Sequence, residues 1–125
     1  MSGVFMEDQL YCYRVNKVLS VYDGDTCTLD VNLGFGISFV IKVRLANINT
    51  PELRGGTDET KAAGYRARNR LRDILIDTSD PIFIKTTRDK TGKYGRYIGE
   101  IFVGNSDVSV NQMLVNEGLA ENKSY

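Results

Sequence analysis

The chain has 125 residues, 42% hydrophobic and 26% charged, enough for one packed core without disulfides and too apolar for wholesale disorder. Sixteen basic and 16 acidic residues cancel, which excludes attachment to a polyanion by bulk charge alone and leaves only local basic surfaces. There is no histidine, so Ser-His-Asp hydrolases, His-ligated zinc and histidine general bases are excluded; chemistry must run on carboxylates, Arg, Lys, Tyr, Cys or a metal held by oxygen.

Leu10 to Tyr22, rich in β-branched and aromatic residues, predicts a first strand. Asp23-Gly24-Asp25 is a turn, and Thr26 to Leu33 then alternates apolar and polar residues with a period of two, predicting a second strand. Gly34-Phe35-Gly36 marks a hairpin turn, since neither a third glycine nor a helix follows it to make a nucleotide loop. Ile37 to Ile48 is the third strand, completing an antiparallel meander that Pro51 ends. Thr57 caps a helix with Asp58 and Glu59 in its first turn and with Ala63, Ala67, Leu71, Ile74 and Leu75 as its apolar face, running to Ile76. Ile82 to Thr87 and Arg96 to Val103 are the fourth and fifth strands, around a turn-rich loop at 89–95. Ser109 and Gln112 form a capping box for a short second helix that Gly118 closes.

The order β-β-β-α-β-β-α suits a mainly β domain: a five-stranded OB-fold-type Greek-key barrel with two helices packed on it. The expected organisation is one domain over residues 1–125, with 1–9 as a flexible N-terminal segment. No apolar run reaches the roughly 20 residues of a membrane span, and residues 1–8 lack signal-peptide character, so the expected setting is intracellular with no membrane partner unless a leader was removed. Cys12 and Cys27 sit among apolar neighbours and read as buried thiols rather than as a bridge.

Clusters of chemistry-bearing residues lie at strand ends. Asp23-Gly24-Asp25-Thr26 is explained by an ordinary Asp-Gly turn, or by a carboxylate offered to a hard cation on a tight loop. In Arg44 to Glu52 (RLANINTPE), Arg44 and Leu45 face opposite sides of the strand, so Arg44 either points into the barrel mouth or is an ordinary surface residue. Pro51 holds Thr50 extended, aiming the Thr50 carbonyl and the Glu52 carboxylate at one point; a plain strand exit is the alternative. Lys93-Tyr94-Gly95-Arg96 reads as a charged hairpin tip or as a phosphate clamp, with Arg96 offering a planar fork and Tyr94 a ring. Basic residues also concentrate in two stretches, Lys61 to Arg72 and Lys85 to Arg96, as solvated faces or as a binding surface.

Together, V-x-D-G-D-T (Val21 to Thr26), R-L-x-x-I-N-T-P-E (Arg44 to Glu52) and K-Y-G-R (Lys93 to Arg96) resemble the staphylococcal (micrococcal) nuclease family. The likeness continues into Val110 to Ala120 and spans residues 13–121. It implies a calcium-dependent endonuclease hydrolysing phosphodiesters of DNA and/or RNA with little sequence preference, single strands favoured. A small monomer is the default expectation. The resemblance implies catalytic roles for Glu52, which orients or deprotonates water, and for Arg44 and Arg96, which bind the scissile phosphate. It also implies Asp25, Asn49 and the Thr50 carbonyl as metal ligands, and Lys93 and Tyr94 as substrate contacts.

Asn49 departs from the family, which has an aspartate there, so calcium affinity is expected to fall and another divalent ion becomes possible. The chain also ends soon after its second helix, at Tyr125, a possible stacking residue. The rival to the enzyme is a non-catalytic nucleic-acid- or peptide-binding module on the same fold.

Overall fold

In a computed structural model, residues 10–91 and 95–123 are described. Strands β1 (Cys12–Asp23), β2 (Thr26–Gly34) and β3 (Ile37–Leu45) come first, followed by a two-residue β4 (Ile48–Asn49) and helix α1 (Asp58–Ile76). β5 (Ile82–Thr91), β6 (Tyr97–Val103), α2 (Val110–Asn116) and a two-residue β7 (Glu121–Asn122) complete the chain. The long strands close a barrel in the order β1-β2-β3-β6-β5. This is the five-stranded, two-helix OB-type architecture expected from the order of elements.

β1, β2 and β3 form the antiparallel meander, and a parallel pairing of Val43–Leu45 with Tyr97–Gly99 closes the barrel. β1 is irregular opposite β2, with register shifts between Val15 and Lys17, Val18 and Ser20, and Val21 and Asp23. Such bulges bend and twist a strand, as a sheet closing on itself requires. The alternation in β2 and β3 sends Cys27, Leu29, Val31, Ile41, Val43 and Leu45 inward, where all are buried. Leu71, Ile74 and Leu75 of α1 and Val110 and Leu114 of α2 extend this core outside the barrel.

The structure departs from several sequence expectations. The third strand does not run unbroken to Ile48: Asn47 sits at φ 63°, and the chain restarts as β4, which pairs with β7. Asn tolerates that left-handed conformation better than other side-chain-bearing residues, so a polar position in an apolar run was a break. The fourth strand extends to Thr91, into the stretch read as loop. Cys27 is buried as expected, whereas Cys12 is exposed, and no disulfide joins them.

The α1 cap is a full box, with Thr57 accepting from the Thr60 N–H and the Thr60 hydroxyl accepting from the Thr57 N–H. At α2 only half the box forms. Ser109 Oγ accepts from the Gln112 N–H, but the Gln112 side chain donates instead to Asn116. On α1, Ala63 is only partly covered while Gly64 is buried, and that glycine proves important to the site.

Candidate active site

The β1–β2 turn is closed by the Asp25 N–H donating to Asp23 Oδ1 at 3.1 Å, the local bond that makes Asp-Gly-Asp a turn. Asp25 itself is 7% exposed. A carboxylate so buried is tolerable only with donors around it. They come from separate parts of the chain: Thr26 Oγ1 donates to Oδ1 at 3.2 Å, and the Thr50 N–H donates to Oδ2 at 3.0 Å. Arg44 Nη2 lies 3.4 Å from the same Oδ2.

Arg44 does not point into the barrel. Val43 and Leu45 occupy the interior, and alternation puts Arg44 on the outward face of β3. It is nevertheless 6% exposed, because the chain folds over it. Its Nη1 donates to the Leu45 carbonyl at 2.7 Å, and its Nη2 donates to the Ile48 carbonyl at 2.9 Å. Asn49 Oδ1 is 3.4 Å from Nη2. The guanidinium fork is thus the pin around which residues 45–49 turn, bringing Asn49 and Thr50 to Asp25.

Asn111, 3% exposed, secures that turn from the other side. Its Nδ2 donates to the carbonyls of Ala46 at 2.9 Å and Gly99 at 3.1 Å, and its Oδ1 accepts from the Ile101 N–H at 3.1 Å. Two glycines then set the approach of α1. A Cβ on Gly24 would stand 2.6 Å from Ala67 Cβ and 2.8 Å from Thr50 Cγ2. One on Gly64 would stand 2.8 Å from the Pro51 carbonyl oxygen and 2.9 Å from that of Glu52. The helix therefore lies directly on the backbone that carries Thr50 and Glu52. The sequence reading gave Asn111 and Gly64 no role in the site. Gly64 breaks a good helical run at a cost of about 1 kcal/mol against alanine, and that was the available signal.

The structure thus joins Asp25, Arg44, Asn49 and Thr50 in one cluster. Arg96, just before β6, lines a cleft of about 360 Å³ that also includes Asp23 and Thr26. Glu52 is exposed, two residues beyond Thr50 on the segment held against Gly64. Lys93, Tyr94 and Tyr125 lie outside the described residues.

The donor set fits a hard cation. Every candidate ligand is an oxygen: the Asp25 carboxylate, the Asn49 amide, the Thr50 carbonyl and the neighbouring Asp23 carboxylate. Thr50 Oγ1 is buried with no hydrogen-bond partner among the described residues. Burial, together with the adjacent Asp25, pushes the Asp23 carboxyl up to about 6, the strain of two acids held side by side. A cation beside them would relieve it. The site is nonetheless poor in charge, since Arg44 already faces Asp25 and position 49 is an amide.

Residues 42–125 match the staphylococcal nuclease homologue family, a range that includes Arg44, Asn49, Thr50, Glu52 and Arg96. An uncharacterised protein of Methanocaldococcus jannaschii is 31% identical over 122 aligned residues, covering 83% of this chain and 56% of its own length. The chain thus spans little more than half of that relative. With the barrel, the helix order and the match over most of its length in agreement, the chain belongs to the staphylococcal nuclease homologue family.

Proposed function

We propose that this chain is a metal-dependent nuclease that hydrolyses phosphodiester bonds of DNA and/or RNA with little sequence preference. The observation that carries the reading is the buried Asp25 carboxylate, tied to the Thr50 N–H and to Arg44 from segments far apart in sequence, beside a cleft containing Arg96. An acid buried against an arginine also occurs as a structural ion pair, but here a second acid, Asp23, lies beside it. A phosphoryl-transfer site needs fixed positive charge and oxygen ligands converging on one point.

In this reading Asp25, Asn49 and the Thr50 carbonyl would hold a divalent cation, calcium by family habit, and the ion would supply charge compensation for phosphate and a more acidic water. Arg96 binds the scissile phosphate through its planar fork. Arg44 contributes charge from a position already fixed by the Leu45 and Ile48 carbonyls, so little reorganisation accompanies the reaction. Glu52, exposed two residues beyond Thr50, orients the attacking water and accepts its proton, since no histidine is available. Lys93 and Tyr94 are proposed to contact the substrate's phosphate and nucleotide from the adjoining loop.

The test is incubation of purified protein with single-stranded DNA and with plasmid, with calcium and with excess chelator. Cleavage with calcium, abolished by chelator and strongly reduced in Glu52→Gln, is expected. Intact substrate under every divalent ion tried, with wild type and Glu52→Gln alike, would point to a non-catalytic nucleic-acid- or peptide-binding module.

A further inference from the structure

The cleft at Arg96 takes in Asp23 and Thr26, chain neighbours of Asp25 in the candidate catalytic cluster. It continues along the outer wall of the barrel over Ser20, Thr28 and Lys42, with Tyr22 at its rim. The strand register makes this a built row. Asp23, Thr26 and Arg44 lie opposite one another across β1, β2 and β3, and Ser20, Thr28 and Lys42 form the next row on the same face. Lys42 stands two residues from Arg44 along β3, so their Cα atoms are about 6.6 Å apart at roughly 3.3 Å per residue. Lys42 also lines the same cleft as Arg96, the residue that takes the scissile phosphate in the nuclease reading.

The surroundings of Lys42 differ from those of an ordinary surface lysine in a sheet. Its cross-strand neighbours are hydroxyl residues, Thr28 and beyond it Ser20, with no acid in the row. In the row that follows, Lys17 stands opposite Asp30, the usual pairing of opposite charges across strands. Tyr22 is 56% exposed, presenting a ring of the kind on which bases stack.

We propose that Lys42, with the hydroxyls of Ser20 and Thr28, is a second phosphate subsite that holds the substrate strand one linkage away from the bond to be cut, with Tyr22 as a stacking surface. The proposal rests on the nuclease reading for the meaning of "the bond to be cut", but the subsite is tested by binding alone. It makes the chain an enzyme of polynucleotides rather than of isolated phosphodiesters, because part of the affinity comes from a phosphate that does not react.

The measurement is fluorescence anisotropy with a fluorescein-labelled single-stranded oligonucleotide, in calcium, over a range of salt concentrations. The Glu52→Gln protein serves as parent so that the probe stays intact. Adding Lys42→Ala is expected to weaken binding several-fold and reduce the slope of log affinity against log salt by about 0.7, the loss of one phosphate contact. Lys42→Arg should retain binding, and Arg72→Ala, which removes a charge from the exposed face of α1, should change it little. Unaltered affinity and slope in Lys42→Ala, or an equal loss in Arg72→Ala, would overturn the subsite. Cleavage of the same oligonucleotide by wild-type protein is followed in parallel. Cleavage with unaltered Lys42→Ala binding removes the subsite and keeps the nuclease; a Lys42-dependent affinity without cleavage keeps the subsite and removes the nuclease.

Discussion

At Asn49 a single atom type sets the charge of the candidate cation site. An amide oxygen can ligate calcium but brings no negative charge, and the nearby Asp25 is partly neutralised by Arg44 at 3.4 Å. Asn49→Asp is therefore expected to bind calcium more tightly than wild type in a calorimetric titration; equal or weaker binding would count against Asn49 as a ligand. Cys27 offers a check on the core. Burial above all, with Asp23 adding to it, pushes its thiol up to about 12, and only the thiolate is nucleophilic. Alkylation of Cys27 should wait for unfolding, as mass spectrometry of peptides from native and denatured protein would reveal. The residues bearing chemistry were legible from sequence because their types and spacing are unusual together. The direction of Arg44 was not, since its burial depends on a turn at Asn47 that an apolar run disguised.

At the scale of elements, the site is held by contacts that leave almost no sequence trace. Gly64→Ala should gain about 1 kcal/mol of helix propensity. Against this stand two backbone carbonyl oxygens within 2.9 Å of the new methyl, which cannot swing aside as a side chain would. Overpacking of this kind costs about 1–3 kcal/mol, so a net fall in melting temperature is expected, together with loss of activity through displacement of Glu52. A melting temperature raised by the substitution would show that α1 does not rest on that segment. Asn111→Ala leaves the Ile101 N–H without its acceptor and removes donors to Ala46 and Gly99. A stability loss of about 1–3 kcal/mol in urea denaturation is expected. Helices with caps and apolar faces were legible in outline. What α1 lies against was not, because a glycine's role is defined by atoms remote in sequence.

For the whole molecule, periodicity in β2 and β3 and the order of elements sufficed to predict a barrel with two helices. Its closure did not follow from periodicity, since it rests on a parallel pairing of β3 with β6, and the separate β4–β7 sheet is built of two-residue strands too short to carry a pattern. That closure makes the account a geometric one. Asp25, Arg44 and Thr50 meet only because the barrel brings the β1–β2 turn beside the end of β3, and Arg96, just before β6, lines the cleft that includes the neighbouring Asp23 and Thr26. The most direct test is the rate of calcium-dependent cleavage of a single-stranded oligonucleotide by Arg96→Ala beside wild type. The account predicts a loss of about 10²–10³-fold, as for removal of one donor to developing charge, with an unchanged melting curve. Equal rates for the two proteins would contradict it.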